Sequence, residues 1–254
     1  MRDSKQVVYR GLVKVASYQA PLLPEGSFET VKLIQERVRE CETKGVSVLC
    51  CPEAILGGLA DYSENPARIA IRTDGSQLES VLAPLASDTV TVIVGFTELG
   101  LDGALYNAAA VFHRRQIAGL YRKIYPALRR SLYKAGCETP VFRANGLTFG
   151  IVICNDSNYP LAGQMVEAGA TAFFIPTNNG LPNARTSKEV KAAARSADVR
   201  LATENQCWAI RADVAGRNGI LTGFGCSEIV DPHGNIVREA QLGQPDLLVA
   251  DIDV

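Results

Sequence analysis

Apolar segments rich in valine and isoleucine alternate with amphipathic segments along the first third of the chain. Residues 13–20 and 46–51 have the nearly continuous apolar character of buried strands. Residues 28–42, between them, place apolar side chains at helical spacing, with Ser27 as the expected N-cap and Gly45 at the expected end. A strand, a helix and a second strand in this order form a βαβ unit, so the pattern predicts a layered α/β protein.

The middle of the chain changes character and then returns to alternation. Three strands joined by short turns are predicted at residues 90–99, 104–113 and 116–124, which indicates an antiparallel segment. Thr186 and Glu189 have the spacing of a capping box, so a long helix is expected to begin there and run to about residue 203. Further helices are predicted at residues 78–85 and 161–167, and further strands at 147–154, 171–176, 207–214, 225–230, 235–239 and 247–254.

Both halves of the chain contain βαβ patterns, which favours two packed sheets with helices outside, while a single sheet remains an alternative. The 254 residues, 47% of them hydrophobic, suit one domain that spans residues 1–254. The net charge of −1 predicts that neither nucleic acid nor an anionic membrane is a partner. With no apolar run long enough for a bilayer span, the protein is expected to be cytoplasmic.

Cysteine and histidine usage narrows the possible chemistry. The seven cysteines form an odd set without a C-x-x-C pair, which favours neither a disulfide framework nor a zinc site. The two histidines, His113 and His233, both fall in predicted turns. A cysteine-histidine or serine-histidine mechanism is therefore not favoured. If a cysteine is the nucleophile, a carboxylate must move its proton and a lysine can neutralise the oxyanion.

Three residues of these types follow predicted strands. Cys154 ends the apolar strand 147–154 and precedes a turn and a helix, a position where the helix N-terminus favours a thiolate. Glu53 follows the strand 46–51, where partial burial would raise its pKa toward values useful for proton exchange. Lys123 lies at the end of the strand 116–124. Placement distinguishes Cys154 from the other cysteines, whereas Glu53 or Lys123 alone would be read as surface charges.

Taken together, these residues and their neighbours resemble the nitrilase or carbon-nitrogen hydrolase superfamily. The glutamate motif resembles Pro52-Glu53, the lysine motif Tyr121-Arg122-Lys123-Ile124, and the cysteine motif residues 150–156. Further similarity lies in residues 106–109 and 225–232, so the resemblance covers nearly the whole chain. It implies a four-layer αββα sandwich with two mixed sheets, in which Glu53, Lys123 and Cys154 meet in one pocket.

The resemblance also implies the chemistry. Glu53 would take the thiol proton of Cys154, the sulfur would attack an amide or related carbon, and Lys123 with the backbone N–H of Asn155 would stabilise the oxyanion. Release of ammonia or an amine would leave a thioester for water to hydrolyse. No cofactor or metal is implied, and a homodimer or larger homo-oligomer is expected.

The sequence departs from the family at the pocket wall. Many relatives carry a second glutamate shortly after the lysine, but residues 126–133 contain no carboxylate, and Glu138 is the candidate replacement. Asn155, Tyr159, Asn178 and Glu138 are the candidate substrate contacts, with Arg185 as a more speculative one. The leading hypothesis is an amidase acting on a small carboxamide or N-carbamoyl compound. An inactive binding or regulatory protein, a nitrilase and an acyltransferase are the alternatives.

Overall fold

A computed structural model describes residues 11–27, 29–182 and 186–254. The predicted helix start at residue 28 and the candidate contact Arg185 lie outside these residues. The strands are β1 Leu12–Pro21, β2 Val48–Cys50, β3 Ile71–Arg72, β4 Thr91–Leu99, β5 Leu105–His113, β6 Gln116–Arg122, β7 Val141–Ala144, β8 Leu147–Ile151, β9 Ala172–Pro176, β10 Leu181–Pro182, β11 Trp208–Ala212, β12 Val214–Asn218, β13 Leu221–Phe224, β14 Glu228–Val230, β15 Ile236–Glu239 and β16 Asp246–Asp253.

The helices are few and short apart from the first and the last. The α-helices are α1 Glu29–Lys44, α2 Pro66–Ile69, α3 Gln77–Leu82, α4 Ala162–Glu167 and α5 Ser187–Asn205, and 3₁₀ turns occupy Ala60–Tyr62, Ala83–Leu85 and Cys154–Asn158. Within the described ranges, no helix combines the length and the apolar character that crossing a bilayer requires.

Two mixed sheets carry the strands. The larger has the order β10-β13-β12-β1-β2-β4-β5-β6, with β16 antiparallel to β1 and β3 on β4. Its centre, β1-β2-β4, is parallel, and β4-β5-β6 is antiparallel. The smaller sheet has the order β15-β14-β11-β9-β8-β7, with β8-β9-β11 parallel. Parallel strands in both sheets place their carboxyl ends at one edge, where loops can gather side chains.

Alternation along each strand separates two apolar layers. In β2, Val48 and Cys50 pack into the core between the two sheets, whereas Leu49 packs with Ile34 and Val38 of α1 on the outer face. Met165 of α4 packs in the hydrophobic core together with side chains from the strands of the smaller sheet. The resulting layers are helix, sheet, sheet and helix, which confirms the predicted αββα sandwich.

The differences from the expected elements have local causes. The capping box is confirmed, because Thr186 N–H donates to Glu189 and Glu189 N–H donates back to Thr186 Oγ1. The predicted strand 207–214 is interrupted because the Asp213 side chain accepts the N–H of Val214. The sequence did not predict β3, β7, β10 and β13, and β12 overlaps the predicted strand 207–214 only at Val214.

Candidate active site

Glu53 lies in the loop directly after β2 and is buried, with 2% of its side chain exposed. Its Oε1 accepts hydrogen bonds from Lys123 Nζ at 2.5 Å and Asn107 Nδ2 at 2.7 Å. Its Oε2 accepts the backbone N–H of Asn178 at 2.9 Å. A carboxylate has about four accepting lone pairs. Three are used here, so one accepting position on Oε2 remains for another donor.

A glycine in the neighbouring strand makes room for the Glu53 loop. A Cβ on Gly95 of β4 would stand 2.4 Å from the carbonyl oxygen of Pro52, 2.6 Å from the backbone nitrogen of Ala54 and 2.8 Å from the Cα of Glu53. These contacts are with backbone atoms, which cannot rotate away. The absence of a side chain at residue 95 therefore sets where the Glu53 loop lies.

Lys123 follows β6 and is 3% exposed. Its backbone N–H donates to the carbonyl of Asn107 on β5, and its own carbonyl accepts the N–H of Gly136. Burial, the largest single influence, would lower the pKa of Lys123, but the charge and hydrogen bond of Glu53 together with the charges of Cys154 and Asp156 outweigh it, and the pKa is raised. The side chain is therefore a buried ammonium paired with a carboxylate.

Cys154 begins the 3₁₀ turn that follows β8 and is half-buried. Its φ of 47° is in the left-handed region, which side chains other than glycine adopt at a cost of about 1–2 kcal/mol. Asp156 holds this turn: its Oδ2 accepts the N–H of Ile153 and the hydroxyl of Tyr121, and its Oδ1 accepts the N–H of Tyr125. The same carboxylate thus fixes the cysteine turn to the end of the lysine strand.

The surroundings of Cys154 favour the neutral thiol over the anionic thiolate that its position after the strand led us to expect. Burial and the negative charge of Glu53 raise its pKa to about 12, although Lys123 and Arg211 act in the opposite direction. The turn after Cys154 is only five residues long and carries Asp156 in its first turn, so it offers little positive field. A base must therefore remove the proton before the sulfur can attack.

A buried ion pair, Arg211 with Asp198, is hydrogen-bonded to the turn that contains Cys154. Arg211 of β11 donates from Nε and Nη2 to the carboxylate of Asp198 in α5, and from Nη2 to Ser157 Oγ at 3.3 Å. Ser157 Oγ in turn donates to the carbonyl of Cys154 at 2.8 Å. The chain from the ion pair to this carbonyl stabilises the positive φ at Cys154.

Glu53, Lys123 and Cys154 border one cavity of about 490 Å³. That volume suits a small organic substrate. Its wall also includes apolar and aromatic side chains from several loops and from α5. The remaining lining residues are Leu59, Asp61, Tyr62, Asn107, Pro126, Ala127, Leu128, Tyr133, Asn155, Ser157, Asn158, Asn178, Asn179, Leu181, Pro182, Val190, Ala193, Ala194, Ala197, Arg211, Thr222 and Phe224.

Two of the four expected substrate contacts lie on this wall. Asn155 lines the cavity, and its Nδ2 donates to the carbonyl of Tyr125. Asn178 lines it too, but its backbone N–H and side-chain amide both donate to Glu53. Asn178 is therefore placed to orient Glu53.

The structure does not bring Tyr159 and Glu138 to the wall of the cavity. Tyr159 is 41% exposed, and its ring stacks on Tyr125 with 3.6 Å between the ring centroids. Glu138 is exposed and follows Gly136, where the backbone packs closely on the carbonyl of Arg122. The loop therefore does not place Glu138 on the cavity wall, where it was the candidate replacement for the second glutamate.

Several residues of the site were not assigned from the sequence. Three of them make hydrogen bonds to Glu53 or to the turn that contains Cys154: Asn107, Asp156 and Arg211. A fourth, Asp61, adds a carboxylate to the cavity wall. A signal existed for Arg211, because a lone arginine within the apolar segment 207–214 indicates a buried charge that needs a partner. Asp61 carries no such signal, since its segment has the composition of an ordinary loop.

Comparison with known proteins places the chain in a family. The carbon-nitrogen hydrolase family model matches residues 14–254, and the chain belongs to this family. It is 25% identical over 250 residues to a nitrilase of Pyrococcus abyssi, covering 96% of this chain and 90% of the relative. It is 28% identical over 198 residues to an (R)-stereoselective amidase of a Pseudomonas species, covering 76% of this chain and 68% of that relative.

Solved structures agree at the level of the fold. The carbon-nitrogen hydrolase from Helicobacter pylori G27 superposes with a TM-score of 0.84 at 21% identity, covering 96% of this chain and 90% of that one. Some relatives are much longer: the chain spans 40% of the glutamine-dependent NAD(+) synthetase of Thermotoga maritima, to which it is 27% identical over 242 residues, or 90% of this chain.

Proposed function

We propose that this chain hydrolyses a carbon-nitrogen bond, other than a peptide bond, in a small amide or N-carbamoyl substrate, through a thioester on Cys154. The observation that carries the proposal is the arrangement of Glu53, buried against Lys123 and Asn178, on the wall of the cavity that Cys154 borders. A carboxylate, an ammonium and a thiol in one enclosed site are the groups that acyl transfer without histidine requires.

Glu53 serves as the proton shuttle in this mechanism. Its Oε1 is engaged by Lys123 and Asn107, so the free accepting position on Oε2 takes the Cys154 proton as the sulfur attacks the substrate carbon. Because burial and the charge of Glu53 raise the thiol pKa to about 12, the sulfur needs a base that accepts its proton for the attack to proceed. Glu53 then protonates the leaving nitrogen, and ammonia or an amine departs.

Lys123 stabilises the tetrahedral oxyanion, together with the backbone N–H of Asn155 at the start of the turn. Preorganised donors of this kind contribute about 3–4 kcal/mol each to transition-state stabilisation in a site from which water is excluded. In the second half of the reaction Glu53 accepts a proton from water as the water attacks the thioester carbon. Cleavage of the carbon-sulfur bond releases the carboxylic acid and restores the thiol.

Ammonia release from a panel of small carboxamides and N-carbamoyl compounds tests this proposal. Wild-type protein is expected to release ammonia from at least one of them, and Cys154→Ala is expected to abolish the release. Cys137→Ala is the matched control, because Cys137 is an exposed cysteine outside the cavity wall, and it is expected to retain full activity. Release that survives Cys154→Ala would contradict the assignment of the nucleophile.

A further inference from the structure

Asp61 is a half-buried carboxylate on the cavity wall, in the 3₁₀ turn Ala60–Tyr62. Its Oδ1 accepts the backbone N–H of Leu132 at 2.6 Å, and its Oδ2 accepts the hydroxyl of Ser131 at 2.8 Å. Both donors are uncharged. Since a carboxylate offers about four accepting positions, this side chain retains capacity for another donor.

Among the described residues that line the cavity, Asp61 is the charged side chain that has no partner of opposite charge. Lys123 and Glu53 neutralise each other, and Arg211 is paired with Asp198. No described lysine, arginine or histidine lies within ion-pair distance of Asp61, although Arg129 and Arg130 are on the adjacent loop, where both are exposed. The cavity therefore carries an excess negative charge at this one position.

Asp61 and Tyr62 border the same cavity as Glu53, Lys123 and Cys154. The hydroxyl of Tyr62 is influenced by the charges of Asp61, Glu53, Cys154 and Lys123 together, with burial as the largest cause of its raised pKa. A molecule with its scissile bond at Cys154 can thus extend past Tyr62 toward Asp61.

We propose that Asp61 binds a cationic group of the substrate, so that the preferred substrates carry an ammonium or guanidinium at the end remote from the scissile bond. This inference rests on the proposed function, because it uses the same cavity and the same reacting bond. A bound cation would give Asp61 its missing counter-charge in a partly desolvated site, where such a pair is stronger than in water. The aromatic ring of Tyr62 adds a second favourable surface for a cation.

A purely structural role for Asp61 has a different signature. The side chain fastens the loop of Ser131 and Leu132 to the turn 60–62, and this fastening alone would affect all substrates alike. Asp61→Asn removes the charge but keeps an acceptor for Leu132 N–H and a donor for Ser131 Oγ. Ser131→Ala removes the hydroxyl contact and keeps the charge. The two variants therefore separate charge recognition from loop fastening.

The test compares γ-aminobutyramide with valeramide, which differ only in an ammonium against a methyl group. Wild type is expected to hydrolyse the cationic amide with a kcat/KM at least about tenfold higher, a preference that weakens as salt screens the charge. Asp61→Asn is expected to remove this preference, and Ser131→Ala to retain it. A preference that persists in Asp61→Asn, or a wild type that does not distinguish the two amides, overturns the inference.

Binding measured without turnover keeps this outcome separate from the proposed hydrolysis. Calorimetric titration of Cys154→Ala with each amide is expected to give tighter binding of the cationic one, and the double variant with Asp61→Asn is expected to lose the difference. If ammonia is released equally from both amides, the hydrolase proposal stands and the inference fails. If no member of the carboxamide and N-carbamoyl panel releases ammonia but selective, Asp61-dependent binding of the cationic amide is measured, the cation site stands and the hydrolase proposal fails. Equal binding of the two amides, or binding of neither, overturns the inference.

Discussion

The buried pair of Glu53 and Lys123 is expected to be strongly coupled in stability. Their side chains are 2% and 3% exposed, and 2.5 Å separates Lys123 Nζ from Glu53 Oε1. Removing one partner of such a pair leaves an uncompensated charge in the protein interior, at a cost of about 3–5 kcal/mol. Replacing both partners removes the charge as well as the attraction, so part of that cost is expected to be recovered.

Three variants measure the coupling: Glu53→Gln, Lys123→Met and the double substitution. Each single variant is expected to lower the free energy of unfolding by about 3–5 kcal/mol. In the double variant a glutamine at residue 53 still accepts the N–H of Asn178, and its NH₂ group can donate to Asn107 Oδ1, which has no hydrogen-bond partner, once the Asn107 amide rotates by 180°. The double variant is therefore expected to be about 2–4 kcal/mol more stable than the sum of the two single changes predicts. All three variants are expected to be inactive.

Urea unfolding, followed by the fluorescence of the single tryptophan, provides the assay. Trp208 lies in β11 of the second sheet and is 9% exposed, so its emission reports unfolding away from the substituted pair. Lys134→Met is the matched control, because Lys134 pairs with Asp102 at the surface, where such a pair contributes at most about 1 kcal/mol. Single variants at residues 53 and 123 that lose less than about 1 kcal/mol, or strictly additive effects, would refute the reasoning.

Three other predictions concern the parts that hold the site. The rate at which iodoacetamide labels Cys154 is expected to rise about tenfold per pH unit between about pH 7 and pH 10, since the pKa of the Cys154 thiol is raised to about 12. Peptide mapping measures this rate, and a plateau near neutral pH would show a preformed thiolate. Gly95→Ala is expected to displace the loop at residue 53, which lowers the free energy of unfolding by about 1–3 kcal/mol and removes most of the activity. Gly163→Ala in α4 is the control, because a Cβ there meets open space, and it is expected to be neutral or stabilising. Equal thermal shifts and equal activities of the two variants would contradict this. Asp156→Asn places an NH₂ group where three donors converge, so a loss of about 1–3 kcal/mol and a lowered kcat are expected; unchanged melting and turnover would show that the turn does not depend on this carboxylate.

The layers of the fold were predictable because the central strands are buried and turn residues follow them. Residues 46–51 and 147–154 could be assigned as strands from apolar character alone, and glutamate, lysine and cysteine at strand ends could be grouped because such ends meet at one edge of a sheet. The predicted positions of the strand ends were less accurate. The segment 147–154 stops as a strand at Ile151, because the turn at Cys154 is set by the hydrogen bond from Ile153 N–H to Asp156, which no periodicity encodes.

The cavity wall was the least predictable part, because it is assembled from loops whose paths depend on distant contacts. Asp61 reaches the site because its carboxylate binds Leu132, 71 residues further along the chain. Glu138 is not on the wall although it is close to Lys123 in sequence, and it lies exposed after Gly136, where the backbone packs closely on Arg122. Sequence spacing informs on strand ends, which the sheet fixes, and says little about loops, which tertiary contacts fix.

The covalent intermediate on Cys154 is the central claim, and mass spectrometry of the acid-quenched enzyme tests it most directly. Protein mixed with a hydrolysed amide and quenched within the first turnover is expected to carry the acyl group of that substrate on the peptide containing Cys154, and hydroxylamine is expected to remove it. Cys137, exposed and outside the cavity wall, serves as the internal reference and is expected to remain unmodified. An acyl group on any other residue, or steady ammonia release with no adduct at Cys154 under any quench time, would contradict the account.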